Sequence, residues 1–398
     1  MSDIEYITLK AIVIILLVLV VYSYVLYPFV LTVVAGIAQM FSDARHVFRK
    51  SERRISVCED LPNIAVVISA FNEERHIRAR IENLLSVDYP VERLKIYIGS
   101  DGSRDATNAI LAEFNDPRLV TFAFEVNRGK ASVLNDLVSR VEAPILVFSD
   151  ANTFFDERAL KRLVAHFFDP SVGGVSGELR LGASRGDNQD SLYWRVEQYL
   201  KFFEARIGGL LGANGAIYAI RHSLWQPLRP DSIVDDFCIA MNVSAAGYRL
   251  VYDASAWANE DTPDAIGDEY NRRVRIGIGN FQALLRHPEY LWRTSWATKF
   301  TYFSHKVLRW IAPHLMVLVL LCTALLARDY MAWRAFLLLQ LAGYVLGTWF
   351  HQAIRRGRSI PKITRIPVFL FTLNWALFVA SYRYLTGRYS GSWKRTNR

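Results

Sequence analysis

Apolar residues along the chain are gathered into a few long blocks and many short runs, and the two patterns predict different structures. Residues 11–42 hold no Asp, Glu, Lys or Arg, and a bilayer core about 30 Å thick needs only roughly 20 helical residues at about 1.5 Å each. That block predicts a membrane-spanning helix. Residues 311–327, 331–350 and 366–382 predict further spans, the middle one trimmed by Arg334 and the last one short. Between the spans, residues 62–286 read as water-soluble. Runs rich in β-branched and aromatic residues at 64–69, 94–99, 119–124 and 145–149 predict strands, and the stretches at 73–85, 104–114 and 130–140 predict helices. Such alternation implies an α/β fold with a mostly parallel sheet and helices on both faces, whose ligands sit at the carboxyl ends of strands. The polar residues obey that rule: Phe71-Asn72-Glu73-Glu74, Ser100-Asp101-Gly102-Ser103 and Asp150-Ala151-Asn152 each follow a predicted strand. Further on, the pattern predicts a long helix at 189–207, a glycine-rich apolar element at 212–221, a helix at 237–246 and a strand at 249–258. Residues 286–309 mix Tyr290, Trp292, Trp296, Tyr302 and Phe303 with Arg and Lys, the composition of helices lying in the headgroup layer.

Charge adds the orientation. The first block follows acidic Asp3 and Glu5 and is too long for a cleavable signal, so it reads as a retained anchor. Arg45, Arg49, Lys50, Arg53 and Arg54 follow it, Lys306 and Arg309 precede the next span, and Arg355, Arg356, Arg358, Lys362 and Arg365 fill a later loop. Basic loops stay in the cytoplasm, so the soluble segment faces the nucleotide pool and the chain is expected to be multi-pass in the plasma membrane. Three full crossings after the soluble segment would leave the basic tail 388–398 outside, so the short last block is read as interfacial or re-entrant unless the rule breaks here. The net charge of +9 lies largely beside apolar spans, where it fixes topology and meets anionic lipid rather than nucleic acid. Cys58, Cys238 and Cys322 are scattered without a CxxC pair, which excludes a disulfide framework and a zinc ribbon.

Taken in order, Ser69-Ala70-Phe71-Asn72-Glu73, Ser100-Asp101-Gly102-Ser103, Asn127-Arg128-Gly129-Lys130, Asp150-Ala151-Asn152, Gly212-Ala213-Asn214-Gly215-Ala216, Val234-Asp235-Asp236-Phe237 and Arg272-Arg273-Val274-Arg275-Ile276 resemble the family 2 inverting glycosyltransferases with the GT-A fold. By pattern the chain is similar to the membrane synthases of hyaluronan, chitin, cellulose and poly-N-acetylglucosamine. The resemblance implies a nucleotide-diphosphate sugar donor, expected to be a UDP-sugar, bound by Ala70, Phe71, Asn72, Glu73, Asp101, Gly102, Ser103, Lys130 and Asp150. In that setting Asp101 accepts the uracil imide N–H, although a turn or helix cap is the other use of an Asp-Gly-Ser run. It implies a divalent cation, Mg2+ or Mn2+, held by Asp150 and Asn152 against donor phosphates. Asn152 stands where the family has a second acid. It implies Asp236 as the general base, with Asp235 supporting it: adjacent carboxylates push a pKa towards the useful range. One of the pair has the alternative of capping the following helix.

Arg272, Arg273 and Arg275 fall where the synthases carry Gln-x-x-Arg-Trp, and arginine suits a diphosphate because its fork binds phosphate bidentately. Lipid headgroups are the competing partner for such a cluster. Arg272 stands in place of the glutamine and Ile276 in place of the tryptophan, so stacking of an acceptor sugar there is not implied. Gly212, Ala213, Asn214 and Gly215 resemble the acceptor-side element. The expected organisation is an anchor and basic linker over 1–60, a cytoplasmic GT-A domain over 61–285, interface helices over 286–309 and spans with a basic tail over 310–398. The expected activity is transfer of a sugar to a saccharide or lipid-linked acceptor in cell-surface polysaccharide synthesis, with membrane lipid and export or assembly subunits as partners. The alternative in the same chemistry is a polyprenyl-phosphate sugar synthase. A non-catalytic membrane subunit that kept the fold is a third class, distinguished by releasing no nucleotide.

Overall fold

The strand Ile64–Ala70 (β1) is buried on both sides, Ala65 and Val67 in one core cluster and Ile64, Val66 and Ile68 in the other, so the run shows no apolar–polar alternation. In this computed structural model, which describes residues 2–49, 60–181, 189–260, 266–358 and 360–389, it lies at the heart of one sheet. The linker residues Lys50, Arg53, Arg54 and Cys58 and the tail from residue 390 lie outside the described residues. The other strands are Leu94–Asp101 (β2), Leu119–Phe124 (β3), Ile145–Asp150 (β4), Thr153–Phe155 (β5), Val172–Leu181 (β6), Tyr218–Arg221 (β7) and Arg249–Glu260 (β8). They form an eight-stranded sheet in the order β3-β2-β1-β4-β7-β6-β8-β5. β3, β2, β1 and β4 are parallel, as the alternating pattern predicts. β7 then runs antiparallel between β4 and β6; β6 pairs with β8 in parallel and β5 closes the edge.

The helices are Asp3–Val21 (α1), Tyr27–Arg49 (α2), Ile77–Leu85 (α3), Thr107–Glu113 (α4), Lys130–Val138 (α5), Ala159–Ala165 (α6), Gln189–Arg206 (α7), Asp235–Ala245 (α8), Ile266–Arg286 (α9), Trp296–Thr301 (α10), Leu308–Leu326 (α11), Met331–Arg355 (α12) and Arg365–Leu385 (α13). Apolar residues of α3 and α6 cover one face of the sheet; those of α5, α8 and α9 cover the other. The helix expected from residue 73 begins only at Ile77, because 73–76 form a turn in which the amides of His76 and Ile77 both donate to the Glu73 carbonyl.

The apolar blocks form four helices long and apolar enough to cross a membrane: Asp3–Phe48, Trp296–Leu326, Met331–Arg355 and Arg365–Leu385. The last, read as short from sequence, is 21 residues, about 30 Å at the helical rise. The interface helices expected over 286–309 resolve differently. After a 3-10 turn at Pro288–Leu291, α10 passes through a π-helical turn, Tyr302–Val307, straight into α11. A matching π turn, Tyr22–Leu26, joins α1 to α2. The two meet: Tyr22 Oη lies 2.9 Å from Ser304 Oγ, and the Ser23 carbonyl accepts from Arg309 Nε at 3.1 Å, a use that π turns allow because they loosen the helical ladder. The sheet and its helices pack against the long apolar helices through α9, where a Cβ on Gly277 would stand only 2.7 Å from the Ala380 Cβ of α13.

Candidate active site

The loops after β1 and β2 are tied to one another at their strand ends. Asn72, held at φ 55°, donates its amide to Ser103 Oγ at 3.0 Å and accepts from the Arg104 amide at 2.9 Å. The Glu73 amide donates to Thr107 Oγ1 at 2.8 Å, and its buried carboxylate lies 3.2 Å from His76 Nδ1. Ala70 is buried beneath this corner and Phe71 is partly exposed on it. Asp101 is buried and accepts from the amides of Arg128 and Gly129, each at 2.8 Å. These bonds run across the fold to the loop before α5, and Asp101 does not cap the helix that follows, whose N-cap residue is Ala106. Each carboxylate oxygen keeps a second lone pair for a ligand.

Gly102 makes that arrangement possible. Its φ is +68°, and a Cβ there would sit 2.5 Å from the Asn127 amide nitrogen and 2.8 Å from the Val126 carbonyl carbon. Gly102→Ala should therefore destabilise the fold by about 1–3 kcal/mol, which a thermal melt checks.

From this corner the contacts run into a cluster of opposite charges. Lys130, at the start of α5, places Nζ 2.9 Å from Asp150 Oδ1 at the end of β4 and 3.1 Å from Asp235 Oδ2 at the start of α8. Burial opposes the ammonium, but Asp150 and Asp235 outweigh it and hold Lys130 above its ordinary range. Asp236, the next residue of α8, accepts from the Phe237 amide at 2.8 Å through Oδ1. It does not cap α8, whose N-cap residue is Val234. Burial first, then Asp235, push the Asp236 carboxyl up to about 6, against the opposing pull of Lys130 and Lys201. The phenol of Tyr218 lies buried beneath, raised far above its usual range by burial and by Asp235, Asp236 and Asp150.

The loop at 212–217 wraps Asp236. Gly212, at φ +75°, has the Phe237 ring 3.1 Å from where a Cβ would be, and Gly215 has Asp236 Oδ2 at the same distance. Asn214 donates its amide to Ser176 Oγ at 3.0 Å and its Nδ2 to the Gly177 carbonyl at 2.6 Å, while Oδ1 accepts from Lys201 Nζ of α7. Ala213 packs against the core beside them.

Some expected residues point elsewhere. Asn152 is buried with its Nδ2 donating to Glu260 Oε1 on β8 at 2.9 Å, so the amide in the place of a second acid is engaged with the neighbouring strand. Asp150 suits a hard cation that takes most of its oxygens from phosphate, since its side chain is 37% exposed beside the cleft. No group of three or more His, Cys, Asp or Glu able to hold a metal occurs among the described residues. On α9 the arginines diverge. Arg275 faces Asp235 electrostatically, with burial drawing its guanidinium below the ordinary range. Arg273 stacks on the Phe369 ring of α13 at 4.6 Å, on the side of the long apolar helices, and Arg272 is exposed.

Sequence reading missed Lys201, which burial and Lys306 push down to about 8. It shares a helical stripe of α7 with Glu197 and Glu204, and those acids meet His305 of the π turn at 3.2 and 2.6 Å. The i, i+4, i+7 spacing of polar residues along α7 was the only available signal.

Set beside known proteins, residues 65–220 match the sequence model of glycosyl transferase family 2, and residues 145–355 match that of glycosyl transferase family group 2. The chain is 25% identical over 270 residues to a poly-beta-1,6-N-acetyl-D-glucosamine synthase of Staphylococcus epidermidis, covering 65% of each chain. It is 26% identical over 239 residues to the protein of that name from Staphylococcus aureus strain COL, covering 57% of each. The matches thus span less than two thirds of these relatives' length. A solved structure described as mannosyltransferase PcManGT from Pyrobaculum calidifontis in complex with GDP-Man and Mn2+ aligns with a TM-score of 0.70 over 96% of this chain and 100% of that one, at 19% identity. At that identity the likeness speaks for the fold.

Proposed function

Because the chain belongs to glycosyl transferase family group 2, and is thereby a glycosyltransferase related to polysaccharide synthases, we propose that it transfers a sugar with inversion from a nucleotide-diphosphate donor, UDP first among the candidates, to a saccharide or lipid-linked acceptor in cell-surface polysaccharide synthesis. One observation carries this reading: Lys130 bridges Asp150 at the end of β4 and Asp235 at the start of α8, and its charge reaches Asp236, with Asp101 bonded to the loop that leads into Lys130 and the loop at 212–217 against Asp236.

In this reading the base of the donor lies against Ala70 to Glu73 and Asp101, and the diphosphate lies near Lys130 and Arg275. A divalent cation, the kind named for the mannosyltransferase structure, would be held by Asp150 and would neutralise phosphate charge. Asp236 takes the proton of the acceptor hydroxyl as its oxygen bonds to the anomeric carbon; the bond from that carbon to the diphosphate breaks on the opposite face. Inverting glycosidases activate water by the same logic. Two charges at about 4 Å are worth about 4 kcal/mol at an effective dielectric near 20, nearly a thousandfold in rate if felt only in the transition state. That is the contribution we assign to the cations beside the leaving group. The soluble unit over 61–285 is the catalytic domain on the cytoplasmic side, and the apolar helices hold it at the membrane.

The test is a panel of UDP- and GDP-sugars given to purified full-length protein with Mn2+ or Mg2+, read as nucleotide release and followed by sizing of the product. Polymer or extended glycan is expected; a single-sugar lipid soluble in chloroform would identify the polyprenyl-phosphate alternative. Absence of nucleotide release with every donor would overturn the enzymatic role of this cleft.

A further inference from the structure

Arg80 of α3 is completely buried, on a helix whose Ile77, Ile81 and Leu84 belong to the apolar cluster between the sheet and α6. A cation in such a place is unfavourable by several kcal/mol unless it is well held. No carboxylate pairs with it among the described residues, and its Nε has no hydrogen-bond partner. What it does have is directional. Nη1 donates to Asn83 Oδ1 at 2.7 Å, Nη2 donates to Ser149 Oγ at 2.8 Å, and the guanidinium lies over the Phe155 ring at 4.2 Å.

Each of these partners leads into the cleft. Ser149 immediately precedes Asp150, and its Oγ donates to the Ala216 carbonyl at 2.7 Å, in the loop that wraps Asp236. Asn83 accepts from the Phe155 amide at 2.8 Å and donates to the Phe155 carbonyl at 2.9 Å, fixing the far end of the turn that carries Asn152. One guanidinium therefore grips both ends of the segment 149–155 and, through Ser149, the loop at 212–217. The charge it feels most is that of Asp150, which opposes the lowering of the guanidinium by burial.

We propose that Arg80 is a positioning residue that sets the separation between the donor-side carboxylate at Asp150 and the acceptor-side loop around Asp236, without touching either substrate. The inference rests on the proposed reading of the cleft as a donor and acceptor site. The groups around it have partners of their own. Without Arg80, Asn83 keeps both bonds to Phe155 and Ser149 keeps its bond to Ala216, so an apolar side chain of similar length leaves few groups unsatisfied. Replacement of a buried charge by a well-packed apolar residue is often neutral or stabilising. A misplacement of about 1 Å between reacting groups, by contrast, can lower a rate by about a hundredfold.

The experiment compares full-length wild type with Arg80→Met and Arg80→Lys in melting temperature, amide hydrogen exchange and sugar transfer. Arg80→Met is expected to melt at or above the wild-type temperature. Its exchange should be at least about tenfold faster at residues 150–155 and 213–217 only, and its kcat about thirtyfold lower or more with donor KM within about threefold. Arg80→Lys, which restores a cation, should recover most of the rate. A wild-type kcat in Arg80→Met, unchanged exchange in both segments, or a loss of rate accompanied by faster exchange across the whole sheet would each overturn the proposal. Exchange requires no turnover, so an inactive wild type would count against the transferase reading alone, while the strut is still judged by its own result.

Discussion

Asp236→Asn should lower sugar transfer by about a hundredfold or more while nucleotide affinity stays within about twofold and the protein becomes more stable. The amide keeps the acceptor oxygen that meets the Phe237 amide at 2.8 Å, so the geometry of α8 survives, but it cannot accept a proton from an incoming hydroxyl. The stability gain follows from the sign of the shift. Burial, and then Asp235, push the folded carboxyl up to about 6 from an ordinary value of 3.8. A raised carboxyl contributes stability that is fully present below the unfolded value and is lost as pH rises through about 6, so at neutral pH the ionised form opposes folding by an amount on the order of 3 kcal/mol. Removing the charge lifts that opposition. In the wild type, kcat/KM should rise with pH through about 6 and level off above it, and the variant should lack this limb. Wild-type turnover in Asp236→Asn, measured as nucleotide released in the presence of acceptor, would remove the general-base assignment.

The parallel half of the sheet was legible because its information is local. β1 and β4 are near-continuous apolar runs and β2 alternates buried Leu94, Ile96 and Ile98 with Lys95 and Tyr97, and the polar residues that end them stand where ligands meet such a sheet. The second half depends on contacts distant in sequence. β6 contains Gly173, Gly174 and Gly177, a poor strand signal, yet Gly173 is required because a Cβ there would lie 2.5 Å from the Tyr248 Cβ. β5 spans only Thr153–Phe155, too short for any period to register. The π turns escaped notice because the residues of Tyr302–Val307 carry the aromatic and basic composition of an interfacial helix while their backbone simply continues into the apolar helix α11. Within the site, residue types were readable and partners were not. Asp101 bonds the amides of Arg128 and Gly129, Asn152 turns to Glu260, and Arg273 turns to Phe369. Arg80 gave no signal at all, since an arginine in an amphipathic helix normally marks the solvated face.

Lys130→Met should act on the same catalytic step by a different route, and the pH profile distinguishes the two. The ammonium lies between Asp150 at 2.9 Å and Asp235 at 3.1 Å, and it also lowers the Asp236 pKa from a distance. Methionine fills the volume of the side chain but leaves these carboxylates facing one another with less opposing charge. A unit charge at about 4 Å is worth about 4 kcal/mol at an effective dielectric near 20; for the more distant Asp236 a loss on the order of 1.4 kcal/mol would move its titration upward by about one unit. The acid limb of kcat/KM, at about 6 in the wild type, should therefore move towards neutrality, where it disappears in Asp236→Asn. Above the limb the rate should still fall by about a hundredfold or more, because the leaving diphosphate has lost one of its cations. Lys130→Arg, keeping a cation with a longer reach, should restore the position of the limb more completely than the rate. A limb that stays near 6 in Lys130→Met would mean that Lys130 and Asp236 do not share a field, and the cleft would have to be divided into two independent sites.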